Sequence, residues 1–128
     1  MIWKFLSVDA VLALHAALIE ESGGSHGLRD AGLLESAIAR AANKVNYDPE
    51  STVATVAASL SWGLIKNHAF IDGNKRIGLG ALVVFLESNG FRLTCSVAEE
   101  TAMVLHAAAS EITEEEWFAW VARSVARL

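Results

Sequence analysis

The chain has 128 residues, of which 53% are hydrophobic and 20% charged, with a formal net charge of −5. This composition describes one globular domain, residues 1–128, able to bury a core without disulfide or metal staples, and it excludes intrinsic disorder. The acidic balance, with no basic stripe, argues against nucleic acid as a partner.

Cys95 is alone, so no internal disulfide can form and no thiolate metal cluster is suggested. Asp9 and His15 break any signal-peptide core. The longest uninterrupted apolar run, Ile77 to Leu86, is about half of what a bilayer span needs. A soluble protein of a reducing, cytoplasmic compartment with no membrane contact is expected.

Helical periodicity dominates from the start. Ser7 is placed to cap a first helix carrying Val8, Val11, Leu12, His15, Leu18 and Ile19, which stops at Glu21-Ser22-Gly23-Gly24. A connector containing Gly and charge follows, and residues 24–30 are the one stretch that invites a short hairpin or flap. Asp30 can cap a short helix through Leu33, Leu34, Ala37, Ile38 and Ala41. Asp48-Pro49 predicts the next helix start, because proline is favoured at the first helical position, and that helix runs to about Lys66. Another begins near Asn74 and ends at Asn89-Gly90, glycine being a good left-handed terminator. Phe91 to Cys95 is short and extended at best. Ser96 with Glu99, and Thr113 with Glu116, form capping-box patterns that open the last two helices. The expected architecture is all-α, a compact single-domain bundle of about six helices.

The two helices flanking residues 68–73 are apolar nearly all round, which places them at the centre of the bundle. Gly78 and Gly80 lie inside the second, where each costs roughly 1 kcal/mol relative to Ala. Close helix packing explains them most simply; room for a ligand is the alternative.

Between those helices runs His68-Ala69-Phe70-Ile71-Asp72-Gly73-Asn74-Lys75-Arg76, a polar cluster in an alanine-rich chain. A helix N-terminus carries unpaired N–H groups and partial positive charge, so Lys75 and Arg76 stand where acidic residues are expected. Two cations there make sense if an anion binds between them and the helix end. Gly73 lets the backbone approach that anion, and Asn74 can both cap and donate. Ordinary capping would account for Asp72 or Asn74 alone, but not for Lys75-Arg76. His68, near neutrality in unperturbed pKa, is the natural general base beside such a cradle. Phe70 is expected to anchor the loop in the core. Asp72 is the only carboxylate in the loop, and Mg²⁺ is commonly held by one or two carboxylates plus substrate phosphates.

The run resembles the signature of the Fic/Doc family, HPFxxGNGR, and is closest to the form HxFxDxNKR of the death-on-curing (Doc) branch. The resemblance extends to Leu14-His15, Gly27-Leu28-Arg29-Asp30, Gly32-Leu33-Leu34-Glu35-Ser36-Ala37 and Phe85-Leu86-Glu87-Ser88-Asn89-Gly90. It implies transfer of a phosphorus group from a nucleotide to a protein hydroxyl, with ATP and Mg²⁺ as cofactors. In the Doc branch it implies a toxin that phosphorylates a Ser or Thr of elongation factor Tu and arrests translation. The resemblance assigns catalysis to His68, Asp72, Lys75 and Arg76, nucleotide binding to Gly73, Asn74, Lys75 and Arg76, and the metal to Asp72, which could also orient His68.

Two departures from the AMP-transfer pattern have physical meaning. Lys75 replaces a second glycine and would crowd a polyphosphate lying along the helix start. Leu79 stands where AMP transferases usually carry a second arginine, three residues on and on the same face. Without that clamp the β- and γ-phosphates are poorly held as a leaving group, which favours terminal phosphoryl transfer over the alternative, AMP transfer. A catalytically silent partner-binding module is the alternative of another class.

Many Fic proteins carry an inhibitory pattern, Ser/Thr-x-x-x-Glu-Gly/Asn. Here Ser96 to Glu100 has the spacing but is followed by Thr101. The resemblance therefore implies an external antitoxin whose disordered segment folds on binding. Residues 27–30 match the position of the family's flap, and Arg29 is read as a surface-loop residue rather than a substrate contact. His15, Trp117, Trp120 and Val121 are read as core, and Cys95 as a buried filler rather than a nucleophile.

Overall fold

Local capping sets most of the helix starts in the computed structural model, which describes residues 1–128. Ser7 accepts from Ala10 N–H at the head of α1 (Val8–Ser22), and Asp30 accepts from Leu33 N–H at the head of α2 (Ala31–Tyr47). Thr52 heads α3 (Val53–Asn67), Gly73 heads α4 (Asn74–Ser88), and Ser96 and Thr113 head α5 (Val97–Ala108) and α6 (Glu114–Arg123). The six-helix, all-α expectation holds.

Three boundaries differ from the sequence reading. Asp48-Pro49 does not open a helix: α2 continues to Tyr47, and Asp48 closes it by donating its N–H to Lys44 O. Asp at the first and Pro at the second position suit a turn as well as a helix start. Asp48 O accepts Ser51 N–H, and the Thr52 side chain then caps α3. The capping box at Ser96 is half made. Ser96 Oγ accepts from Glu99 N–H, but the Glu99 carboxylate accepts from Trp120 Nε1 at 3.1 Å instead of reaching back. The box at Thr113 and Glu116 is complete. Finally, Phe91–Leu93 is a true strand, β1, paired antiparallel with β2 (Val125–Arg127) in the register Phe91↔Arg127 and Leu93↔Val125. Three-residue strands carry too little pattern for β2 to be foreseen.

α3 is the axis of the bundle, packed against α2, α4, α5 and α6. Val56, Ala57, Ala58, Leu60, Leu64 and Ile65 are buried on all its sides, joined in one core by Ile77, Leu82, Phe85, Trp117, Trp120 and Val121. The tryptophans are core, as expected, and Trp117 Nε1 is satisfied by Ser61 Oγ at 3.0 Å. Gly78 and Gly80 serve close packing. A Cβ at Gly78 would collide with Ile65 Cγ1 of α3, and one at Gly80 would lie 3.1 Å from Leu18 Cδ1 of α1.

α1 lies against α4 and turns its buried stripe, Val11, His15 and Ile19, one helical turn apart, toward the loop that joins α3 to α4. No helix is long and apolar enough to cross a membrane.

Candidate active site

The six-residue loop 68–73 reverses the chain between the two central helices. His68 closes α3 in the left-handed region, at φ 53°, and Gly73 opens α4 at φ 77°. A non-glycine residue in that region is uncommon and strained, a condition concentrated at functional sites. Arg29 stabilises this corner: its Nε donates to His68 O at 2.7 Å and its Nη2 to Asn67 O at 3.3 Å. Arg29 thus caps the carbonyl end of α3, a structural role consistent with the sequence reading.

Phe70 anchors the loop, 2% exposed, and stacks on the His15 ring with centroids 3.7 Å apart. Its backbone is gripped by Asn74, whose Oδ1 accepts Phe70 N–H at 3.0 Å and whose Nδ2 donates to Phe70 O at 2.9 Å. The same Nδ2 lies 3.2 Å from His68 Nδ1. Asn74 is therefore not the helix cap. It is a 6%-exposed brace between the anchor and the histidine.

Residues 24–30 form no hairpin. Gly27 O accepts Ile71 N–H, Arg29 and Asp30 N–H both donate to Ala69 O, and a single antiparallel bridge joins Leu28 to Phe70.

Asp72 turns away from His68, which corrects the expectation that it orients the base. Its Oδ2 accepts Ser25 N–H at 3.0 Å, its Oδ1 accepts Gly73 N–H at 2.8 Å, and Arg76 Nη2 stands 3.8 Å away. The hydrogen bonds from Ser25 and Gly73 hold its carboxyl below the usual carboxylate value, Arg76 adding to them and partial desolvation opposing. Asp72 is thus ionised at neutral pH with lone pairs to spare. Arg76 is fixed from the other side by Gly23 O, which accepts from its Nη1 at 2.6 Å.

At the start of α4 the cap has no side-chain acceptor, and the N–H groups of Asn74, Lys75 and Arg76 find no acceptor in the protein. Lys75 makes no ion pair. Open donors, an unpaired ammonium and a helix dipole converge on one cleft of about 240 Å³, lined by His68, Ile71, Asp72, Gly73, Asn74, Lys75, Arg76 and Ala108. All six residues singled out from sequence line it. Next to it, Leu79 with Thr101, Val104 and Leu105 forms a second cleft of about 190 Å³ that shares Lys75 and Arg76 and adds no further cation.

Sequence reasoning missed His15 as part of the site's support, along with the Gly23 carbonyl and the Ser25 amide. Backbone groups carry no sequence signal, and His15 showed only as one member of an apolar helix stripe. Cys95 is half-buried and beside no cation. Burial pushes its thiol up, with the Glu100 carboxylate 4.0 Å from Sγ adding to the effect. Glu100 makes no ion pair. His26 and His106 pair with Glu20 and Glu111 outside the cleft. No group of three or more His, Cys, Asp or Glu converges as a metal cage.

The central helix–loop–helix of an all-helical bundle thus sets open backbone donors and an unpaired lysine beside a histidine. A family model for the Fic/DOC family matches residues 5–86, and the chain belongs to that family. It is 32% identical over 110 residues to Protein kinase doc of Escherichia phage P1, with 86% of each chain covered. It is 42% identical over 72 residues to Toxin Doc of Mycolicibacterium smegmatis, which covers 56% of this chain and 55% of that one.

Proposed function

We propose that this protein is the toxin of a toxin–antitoxin pair, a kinase that transfers the terminal phosphate of ATP to a Ser or Thr hydroxyl of a protein target. The target that fits the Doc branch is elongation factor Tu, and the consequence is arrested translation. The observation that carries the reading is the start of α4, where three open N–H groups and the unpaired Lys75 face a cleft bordered by His68. The similarity to Protein kinase doc and to Toxin Doc supports it.

In this mechanism the open N–H groups and Lys75 stabilise charge on the transferred phosphoryl group, and Arg76, held by Gly23 and Asp72, adds a fixed positive charge. His68 takes the hydroxyl proton through Nε2, the ring nitrogen with no partner in the protein. That requires the ring's own proton on Nδ1, so the 3.2 Å contact with Asn74, the longest of its three, yields as substrate binds.

Asp72 fits a single-carboxylate site for Mg²⁺ completed by nucleotide phosphates: it is ionised, about half exposed, and has no second carboxylate beside it. When bound, the ion would neutralise phosphate charge. Leu79 supports terminal over AMP transfer, since no cation stands in that cleft to clamp distal phosphates beyond the two it shares. The restraint on the toxin is assigned to an antitoxin segment that folds over it.

Intact-protein mass spectrometry of elongation factor Tu after incubation with the protein, ATP and Mg²⁺ tests this. A gain of about 80 Da, absent with His68→Ala, is expected. A gain of about 329 Da would mean AMP transfer instead. No gain on this target or across a lysate would leave a silent binding module.

A further inference from the structure

We infer that His15 is a positioning residue that latches the Asp72–Gly73 peptide so that its carbonyl oxygen stays out of the anion cleft. The inference rests on the reading of that cleft as the phosphate site. His15 is 3% exposed and stacked on Phe70, and its Nε2 lies 2.7 Å from Asp72 O. Because a carbonyl can only accept, Nε2 carries the proton and donates. No other group in the protein donates to Asp72 O.

The latch matters because the backbone itself permits this peptide to invert, and besides His15 only the Gly73 N–H bond to Asp72 Oδ1 opposes it. Inversion of a peptide unit changes ψ of the residue before it and φ of the residue after. Here the residue after is Gly73, at φ 77°, for which both signs of φ are accessible. The carbonyl and N–H of one peptide point in opposite directions. With the carbonyl drawn to α1, the Gly73 N–H is turned toward the Asp72 carboxylate, at the side of the cleft that Asp72 and Gly73 line. The inverted peptide would put the carbonyl oxygen there, adding negative charge beside Asp72 and withdrawing the N–H that holds its Oδ1. An anion would meet a repulsive edge in place of a donor.

The glycine is required by the same contact. A Cβ at position 73 would lie 3.3 Å from His15 Nε2 and 3.1 Å from Ile19 Cδ1. The histidine therefore sets both the direction of the peptide and the space the loop can occupy.

Two variants separate the latch from simple packing. His15→Phe keeps a ring to stack on Phe70 and loses the donor; His15→Gln loses the ring and keeps an amide donor of similar reach. Crystal structures and calorimetric titration with ADP and Mg²⁺ are the readouts. His15→Phe is expected to show the Asp72 carbonyl inverted or in two orientations, and to bind ADP at least about tenfold more weakly. His15→Gln is expected to keep the native peptide and to bind within about threefold of the parent. An unchanged peptide and unchanged ADP affinity in His15→Phe would overturn the inference, as would equal losses in both variants tracking their melting temperatures. If the parent itself fails to bind ADP, the phosphate reading falls, while the orientation of the 72–73 peptide in His15→Phe still decides the latch.

Discussion

Replacing Asn74 by alanine removes a brace whose cost can be worked from its contacts. The side chain pairs with both backbone groups of Phe70, at 3.0 and 2.9 Å, in a site where Phe70 is 2% and Asn74 6% exposed. Orphaning a buried donor or acceptor costs about 1–3 kcal/mol each, so the pair predicts a loss of about 2–6 kcal/mol. Against a domain stability of about 5–15 kcal/mol that is a large fraction. Urea unfolding at neutral pH, followed by tryptophan fluorescence, reads it as a lower midpoint at unchanged slope. Asn74→Asp should fall between parent and alanine, since it keeps the acceptor for Phe70 N–H but faces Phe70 O with a charge. A loss below about 1 kcal/mol in Asn74→Ala would refute the brace and return Asn74 to the role of a surface donor.

Lys75→Met should leave the unfolding midpoint within about 0.5 kcal/mol, because no partner is lost, yet reduce phosphoryl transfer by about 10²-fold or more, measured by radiolabel incorporation. Gly78→Ala should cost about 1–3 kcal/mol by driving a methyl into Ile65, and Ile65→Val in the same chain should recover part of it in thermal melts. Asp72 has a folded pKa below its ordinary 3.8, so its contribution to stability is present above that value and is lost as pH falls through the lower, folded one. Acid titration of Asp72→Asn should therefore show a flatter decline of stability below about pH 4, and identical acid profiles would contradict the Ser25 and Gly73 contacts.

What the sequence disclosed about this protein was what short-range chemistry decides. Ser7, Asp30 and Thr113 cap helices through residues three positions away, so their signal lies within one window. The cluster at the start of α4 was legible for the same reason: Lys75-Arg76 at a helix start is a local contradiction of the dipole rule, which the structure offsets at Arg76 through Gly23 O and Asp72 and leaves open at Lys75. Where distant partners compete, the local pattern misled. Glu99 is drawn from its cap by Trp120, and Asp48-Pro49 served a turn because Thr52 made the better cap. Asp72 looked placed to orient His68 by proximity in sequence, but the connector at Ser25 captures it. The His15 contact spans 57 positions, beyond any pattern in a single helix.

The Fic/DOC match ends at residue 86, inside α4, yet the protein has no seam there. Lys66 of α3 donates to Ala107 O and Ser110 Oγ, Trp117 reaches back to Ser61, and Ala108 supplies a wall of the cleft. The stretch matched by the family model is thus not a unit of folding by itself. A chimaera that exchanged the last third of the chain between relatives would have to carry the facing side of α3 with it. The C-terminal helices are thus tethered, contact by contact, to the helix that His68 closes.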